Sequence, residues 1–326
     1  MRIFEGSIGF SAPGGTSMTI GNFDGVHIGH RELLRRTVAR AREHGLPAVA
    51  LTFRPHPIRY FTPRARFYEI TSPEEKAARM EEMGIDALVV ESFTGEIGDM
   101  GPEEFARKVI RGRLAARFVI VGYDFTFGKN RTGSPPMLSR IGREAGFSVD
   151  VVPPLLRGGA IVSSSRIREL LLGGRVREAE ELLCAPYRVS GTVVAGAGRG
   201  RKLGFPTANV QYNQELLPLP GVYVVDAGVG GVVRRGVANV GFNPTFGENS
   251  LGVEVHLLDF HGGDLYGQEM SVYFRDRIRD ERKFKNVEEL VRQIGKDVDF
   301  ARSARMAARK EPGREAGSRR REAGEG

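Results

Sequence analysis

One cysteine, Cys184, stands in 326 residues. Its isolation excludes an internal disulfide, a cysteine-cluster metal site and an iron–sulfur centre within one chain, and it accords with a reducing compartment. Long apolar runs are missing too. No stretch approaches the ~20 apolar residues that a bilayer-spanning helix needs, and Met1–Ile20 lacks the apolar core of a secretory signal. The expected setting is the cytoplasm, with no membrane partner. Also absent are a G-x-x-x-x-G-K-[ST] loop and a protein-kinase motif set; Asp124-Phe125-Thr126 is not D-F-G. Any phosphate chemistry must be read from other segments.

What is present is globular: 40% hydrophobic and 27% charged residues, in a chain long enough for two or three domains. The net charge of +8 is unevenly placed. From Ala301 to Gly326 eight Lys or Arg face four acids, with Met306 the one large apolar side chain. That tail (303–326) cannot bury a core and is expected to be disordered and solvated. The remaining chain is only mildly basic, so no specific nucleic-acid partner is expected.

The first half alternates strand and helix patterns. Ser17–Phe23, Ala48–Phe53, Ala87–Val90, Phe118–Val121 and Phe147–Val152 read as strands. His30–His44 and Pro102–Leu114 carry apolar residues at helical spacing, and Ser72-Pro73-Glu74-Glu75 is a helix start. Such alternation predicts a mainly parallel sheet covered by helices, with ligands at the carboxyl ends of the strands. Near Cys184 the pattern changes. Arg188–Val194, Gly221–Val229, Gly236–Val240, Val253–Asp259 and Ser271–Phe274 are short β-like runs with no helix between them, which predicts a small antiparallel barrel. A final helix follows, capped by Asn286, with Val287, Leu290, Val291, Ile294 and Val298 as its apolar face. The expected division is 1–184, 185–302 and the tail.

Gly21-Asn22-Phe23-Asp24-Gly25-Val26-His27-Ile28-Gly29-His30 joins a strand to a helix. Glycines let backbone approach a ligand, and a helix N-terminus offers free N–H groups to an anion. His27 and His30 add two donors, which suits a nucleotide triphosphate attacked at its α-phosphorus. Ser163-Ser164-Ser165-Arg166-Ile167-Arg168 is a serine cap on a short helix; its hydroxyls and Arg168 also make a second phosphate grip. Asp124 and Phe125 follow the fourth strand, while Phe53 and His56 follow the second; both places suit a nucleotide or flavin ring, and His56 equally suits a structural role.

Gly204-Phe205-Pro206-Thr207-Ala208-Asn209 opens the second region. Pro206 stiffens the chain, and Thr207 and Asn209 present hard oxygens suited to Mg²⁺. Period two puts Glu254 and His256 on one face of Val253–Leu257. If that face lines a barrel mouth, Glu254 is a general base.

In this order the segments resemble the prokaryotic bifunctional riboflavin kinase/FMN adenylyltransferase family. Gly21–His30 looks like its adenylyltransferase signature, Ser163–Arg168 is similar to its S-S-[ST]-x-I-R motif, and Gly204–Asn209 looks like its G-F-P-T-A-N motif. Gly236–Phe246, Val253–Phe260, Leu265-Tyr266-Gly267, Ile278-Arg279 and Lys283-Phe284 continue the order. Ser165 stands where the family more often has threonine, and Phe67–Ile70 replaces a more leucine-rich stretch. The resemblance implies a Rossmann-like nucleotidyltransferase domain followed by a six-stranded flavokinase barrel, making FMN from riboflavin and ATP, then FAD and pyrophosphate from FMN and ATP. Carried over by position, His27, His30, Ser164 and Arg168 contact ATP in the first domain. Thr207 and Asn209 hold Mg-ATP in the second, with Glu254 as base. The expected partners are thus riboflavin, FMN and ATP, and a homo-oligomer is compatible with the sequence. Adenylyltransferases acting on other phosphates share the first segment, but need no appended barrel. A flavin sensor with degenerate sites would bind without turnover.

Overall fold

The computed structural model describes residues 1–64, 66–196, 198–242 and 251–304. The tail beyond 304 and the segment Asn243–Phe246 lie outside them. Two units divide the chain: Met1–Tyr187 with Gln214–Leu219, and Arg188–Asn213 with the chain from Pro220 onward. The sequence puts the boundary after Cys184; the division falls after Tyr187. The return of Gln214–Leu219 to the first unit shows only in contacts. Leu216 and Leu217 are buried, and the Tyr187 hydroxyl donates to the Leu216 carbonyl at 2.6 Å.

In the first unit β1 (Arg2–Glu5), β2 (Thr16–Ile20), β3 (Ala48–Arg54), β4 (Ala87–Ser92), β5 (Ala116–Gly122) and β6 (Ser148–Val152) form a parallel sheet in the order β1-β4-β3-β2-β5-β6. Alternate residues serve opposite faces. Met18, Ile20, Val49 and Leu51 pack into one cluster; Ala48, Ala50, Leu88 and Val90 pack into another. Strands buried on both faces read as near-continuous apolar runs, as β3 and β4 do. The covering helices are α1 (Ile28–Glu43), α2 (Pro57–Phe61), α3 (Pro73–Glu82), α4 (Gly95–Asp99), α5 (Pro102–Glu104, continuing as a π-helix over Phe105–Arg113) and α6 (Pro135–Ala145). A hairpin of β7 (Leu156–Arg157) and β8 (Ala160–Ile161) precedes α7 (Ser164–Leu172) and α8 (Val176–Leu183). The strand order reverses between β2 and β5, so the crevice outside their carboxyl ends is a topological switch point, where such sheets bind ligands.

In the second unit β9 (Tyr187–Val194), β10 (Ala208–Tyr212), β11 (Gly221–Val229), β12 (Val232–Phe242), β13 (Leu251–Leu257) and β14 (Glu269–Arg279) close into a barrel, ordered β10-β13-β12-β11-β14-β9. Helix α10 (Val287–Ser303) packs on it, with Asn286 accepting from the Glu289 N–H as cap.

The expected class, an α/β domain followed by a small barrel and a C-terminal helix, is the observed one. Three details differ. Strand β10 continues straight out of the G-F-P-T-A-N segment, whose proline and glycine mask its period. A short helix α9 (Arg199–Lys202) sits between β9 and β10, where none was expected. On α10 the expected Val298 is buried and Ile294 packs beside it, but Asp297, held by a bidentate pair with Arg279, and Ala301 join that face, and Val287 in the first turn is exposed. Among the described residues no helix is long and apolar enough to cross a membrane.

Candidate functional site

The first site grows out of the end of β2. Phe23 and Val26 are fully buried yet hold left-handed φ angles of 50° and 42°, and Gly25 between them has φ 85°. Non-glycine residues pay for that conformation, and packing must hold it. The turn sets His27 as the cap of α1: its Nδ1 accepts the His30 N–H at 3.2 Å. Accepting there leaves the proton on Nε2. The two imidazoles stack, with centroids 3.6 Å apart and planes 14° apart. Burial holds His27 down to about 4 and His30 well below the usual histidine range. Both rings are therefore neutral at pH 7. The Nδ1 of His30 is buried with no hydrogen-bond partner among the described residues. A neutral N–H donor, an open helix N-terminus and an unpartnered ring nitrogen together make an anion cradle.

Asp24 and Arg168 form a bracket beneath it. Asp24 is 1% exposed; one carboxylate oxygen accepts from the Ile70 and Thr71 amides, and the other from the Arg168 guanidinium. Arg168 also donates to the Tyr68 carbonyl at 2.7 Å and lies 4.4 Å over the Phe67 ring. Ser164 donates to the Asp24 carbonyl at 2.9 Å, and Ser163 caps α7 through the Arg166 N–H. The two segments Gly21–His30 and Ser163–Arg168, which the sequence put on one nucleotide, thus meet, but Asp24 faces Arg168 and backbone amides.

Phe53 and His56 line a neighbouring cavity of about 240 Å³, with Arg54, Arg59, Glu69 and Lys76. His56 caps α2 by accepting the Ile58 N–H, and burial, reinforced by Lys76, Arg168 and Arg59, lowers it to about 4. Phe125 does not line this cavity: it stacks on Phe127 at 5.4 Å against the same core cluster as Phe53, beside exposed Asp124. Lys76 belongs to no motif, so the sequence does not single it out. Its spacing of four from buried Met80 was the available signal.

The second site is a cavity of about 200 Å³ at the barrel, and Thr207, Asn209 and Glu254 all line it. Glu254 pairs in register with Asn209 on β10 and with Asn239 on β12, so three polar side chains form a row across three strands. Asn239 donates to Glu281 at 3.3 Å. Burial raises the Glu254 carboxyl; Glu281 adds to this and Arg199 opposes it. Gly196 packs against the Asn209 amide, and Gly200 against the Phe205 carbonyl and the Thr207 hydroxyl. His256, on the same face as Glu254, lies 2.8 Å from the Pro206 carbonyl through Nδ1 and meets Phe205 edge-on. It fixes the turn that presents Thr207. Asn239 was missed because only register reveals it.

Known proteins are similar to both regions of the chain. A family model described as FAD synthetase matches residues 10–166, and one described as riboflavin kinase matches residues 183–305. The bifunctional riboflavin kinase/FMN adenylyltransferase of Escherichia coli (strain K12) is 37% identical over 289 residues, 88% of this chain and 92% of that protein. Its counterpart in Bacillus subtilis (strain 168) is 37% identical over 290 residues, 87% and 90% respectively. A crystal structure described as a macrolide-efflux protein from Streptococcus pneumoniae superposes with a TM-score of 0.85 at 34% identity, covering 93% of this chain and 99% of that one.

Proposed function

The chain belongs to the bifunctional riboflavin kinase/FMN adenylyltransferase family, and from that premise we propose which residues carry each reaction. The enzyme phosphorylates riboflavin to FMN and adenylylates FMN to FAD, with ATP as co-substrate of both. We assign adenylylation to the first unit and phosphorylation to the second.

The two steps pose different problems. The nucleophile in adenylyl transfer is the FMN phosphate, whose second pKa is about 6, so it is mostly dianionic at neutral pH. No base is required. The site must align two repelling anions and neutralise charge on the α-phosphate and leaving pyrophosphate. Neutral His27 and His30 can donate without competing for a proton, α1 offers its N-terminal amides, and Arg168 is held in place by Asp24.

Riboflavin offers a neutral alcohol, so a carboxylate that takes its proton is worth roughly 10²–10⁴-fold. Glu254 is that base in this reading. Burial raises its pKa, which makes its carboxylate a better proton acceptor. Thr207 and Asn209 would hold Mg²⁺ together with ATP phosphates. The cavity's donors are hard oxygens, and no group of three His, Cys, Asp or Glu able to hold an ion alone exists among the described residues, which fits an ion shared with substrate. When bound, Mg²⁺ supplies charge neutralisation on the transferred phosphoryl group.

The observation that carries the assignment is the in-register row Asn209–Glu254–Asn239 facing Thr207 across one cavity. The reading places the enzyme in the cytoplasm, acting on small molecules, in accord with its single cysteine. Its test is the purified chain with riboflavin and Mg-ATP, the fluorescent products separated by chromatography. FMN followed by FAD is expected; riboflavin left unmodified by a folded sample overturns the reading.

A further inference from the structure

The cavity beside the first cradle holds a cation that the reading above leaves unused. Lys76 sits in the first turns of α3 and is 8% exposed in the cavity wall. Its ammonium makes no hydrogen bond or salt bridge with the described residues. The neighbouring cations are engaged. Arg59 pairs with Glu215 and donates to the Phe67 carbonyl; Arg168 pairs with Asp24; Arg79, on the next turn of α3, pairs with Glu75 and donates to the Gly25 carbonyl. Burying an ammonium in such a place costs free energy, which the attraction of Glu69 and Asp24 offsets only in part.

Its position is informative. The charge of Lys76 acts on His30 in the cradle and on His56 at the cavity rim, while Glu69 and Asp24 act on Lys76 itself. It lines the cavity while its charge is felt in the triphosphate cradle. Phe53, Leu88 and Val90 give that cavity an apolar part; Arg54 and Lys76 give it a cationic one beside the Arg59–Glu215 pair, with Glu69 as the facing carboxylate. The combination fits a ligand with a flat organic body and an anionic end.

We propose that Lys76 is a further catalytic residue of adenylyl transfer, contacting the attacking phosphate of FMN and offsetting its repulsion from the α-phosphate of ATP. The inference rests on the adenylyltransferase reading of the first unit. A lysine suits the task, since its compact point charge can sit between two phosphates where a planar guanidinium would commit to one.

Lys76→Met and Lys76→Gln, in the full chain, test it. FAD formation from supplied FMN is followed at varied FMN and at varied ATP, with riboflavin phosphorylation measured on the same samples and thermal unfolding recorded. The expected result is a loss of about 10²-fold in kcat/KM for FMN, with KM for FMN raised, KM for ATP little changed and riboflavin phosphorylation intact. Lys76→Arg should recover part of the loss. Wild-type kinetics for FMN in either neutral variant overturn the proposal. So does an equal loss of FMN and ATP saturation with a lowered unfolding temperature in both, which would make Lys76 a structural cation. A wild-type chain that makes no FAD from FMN would instead sink the reading on which the proposal rests.

Discussion

Glu254 stands directly across the β10–β13 ladder from Asn209, and the same residue faces Asn239 across β12–β13. Direct partners in an antiparallel ladder have Cβ atoms about 5 Å apart. A carboxylate and two carboxamides are thereby held on one rigid surface, with no loop involved.

Separable activities follow. Glu254→Gln keeps the shape and removes the base, so FMN formation should fall by roughly 10²–10⁴-fold while supplied FMN is still converted to FAD. His30→Ala should do the reverse. Steady-state rates of both half-reactions on one preparation check this, and near wild-type riboflavin phosphorylation by Glu254→Gln removes that residue from the base role.

Gly196→Ala should injure the kinase alone. A Cβ there would overlap the Asn209 amide, so Asn209 must leave its place on the row. The expected loss is at least ~10-fold in riboflavin phosphorylation, as for other small misplacements at a reacting centre, with adenylyl transfer unchanged. Riboflavin phosphorylation at the wild-type rate would show that the Asn209 side chain tolerates another position.

Asp24→Asn should weaken the first unit in two ways. Breaking a buried ion pair costs about 3–5 kcal/mol, and Arg168 loses the partner that orients it. Calorimetry should show a lowered transition, and FAD formation should fall at temperatures where the protein stays folded. Unaltered FAD formation would leave Asp24 with a purely structural role.

Acid should destabilise the first unit before carboxylates titrate. His27 and His56 fall from 6.5 to about 4 on folding. The unfolded chain then binds more protons than the folded one between those values. Their contribution is complete above pH 6.5 and is lost as pH falls toward 4, at about 1.4 kcal/mol per pH unit for each group. Denaturant midpoints measured from pH 7.5 to 4.5 should decline over that window, and less steeply in His56→Asn. A flat profile would mean that the two rings are not held neutral.

Much of this was legible locally. Caps at Ser72, Ser163 and Asn286, the apolar runs of β3 and β4, the His27–His30 turn and the closeness of Thr207 to Asn209 all rest on residues near one another in the chain. Helix period, strand period and capping chemistry are properties of neighbours along the chain, so the amino-acid order alone determined them, together with the two-part architecture and the choice of chemistry in each half. The bracket of Asp24 and Arg168 spans 144 residues, Asn239 meets Glu254 only through register, Gln214–Leu219 returns to the first unit, and Lys76 is buried on a helix that reads as amphipathic surface. Those features were decided by the tertiary structure, because pairing register, burial and the sharing of charge are set by which distant surfaces pack together.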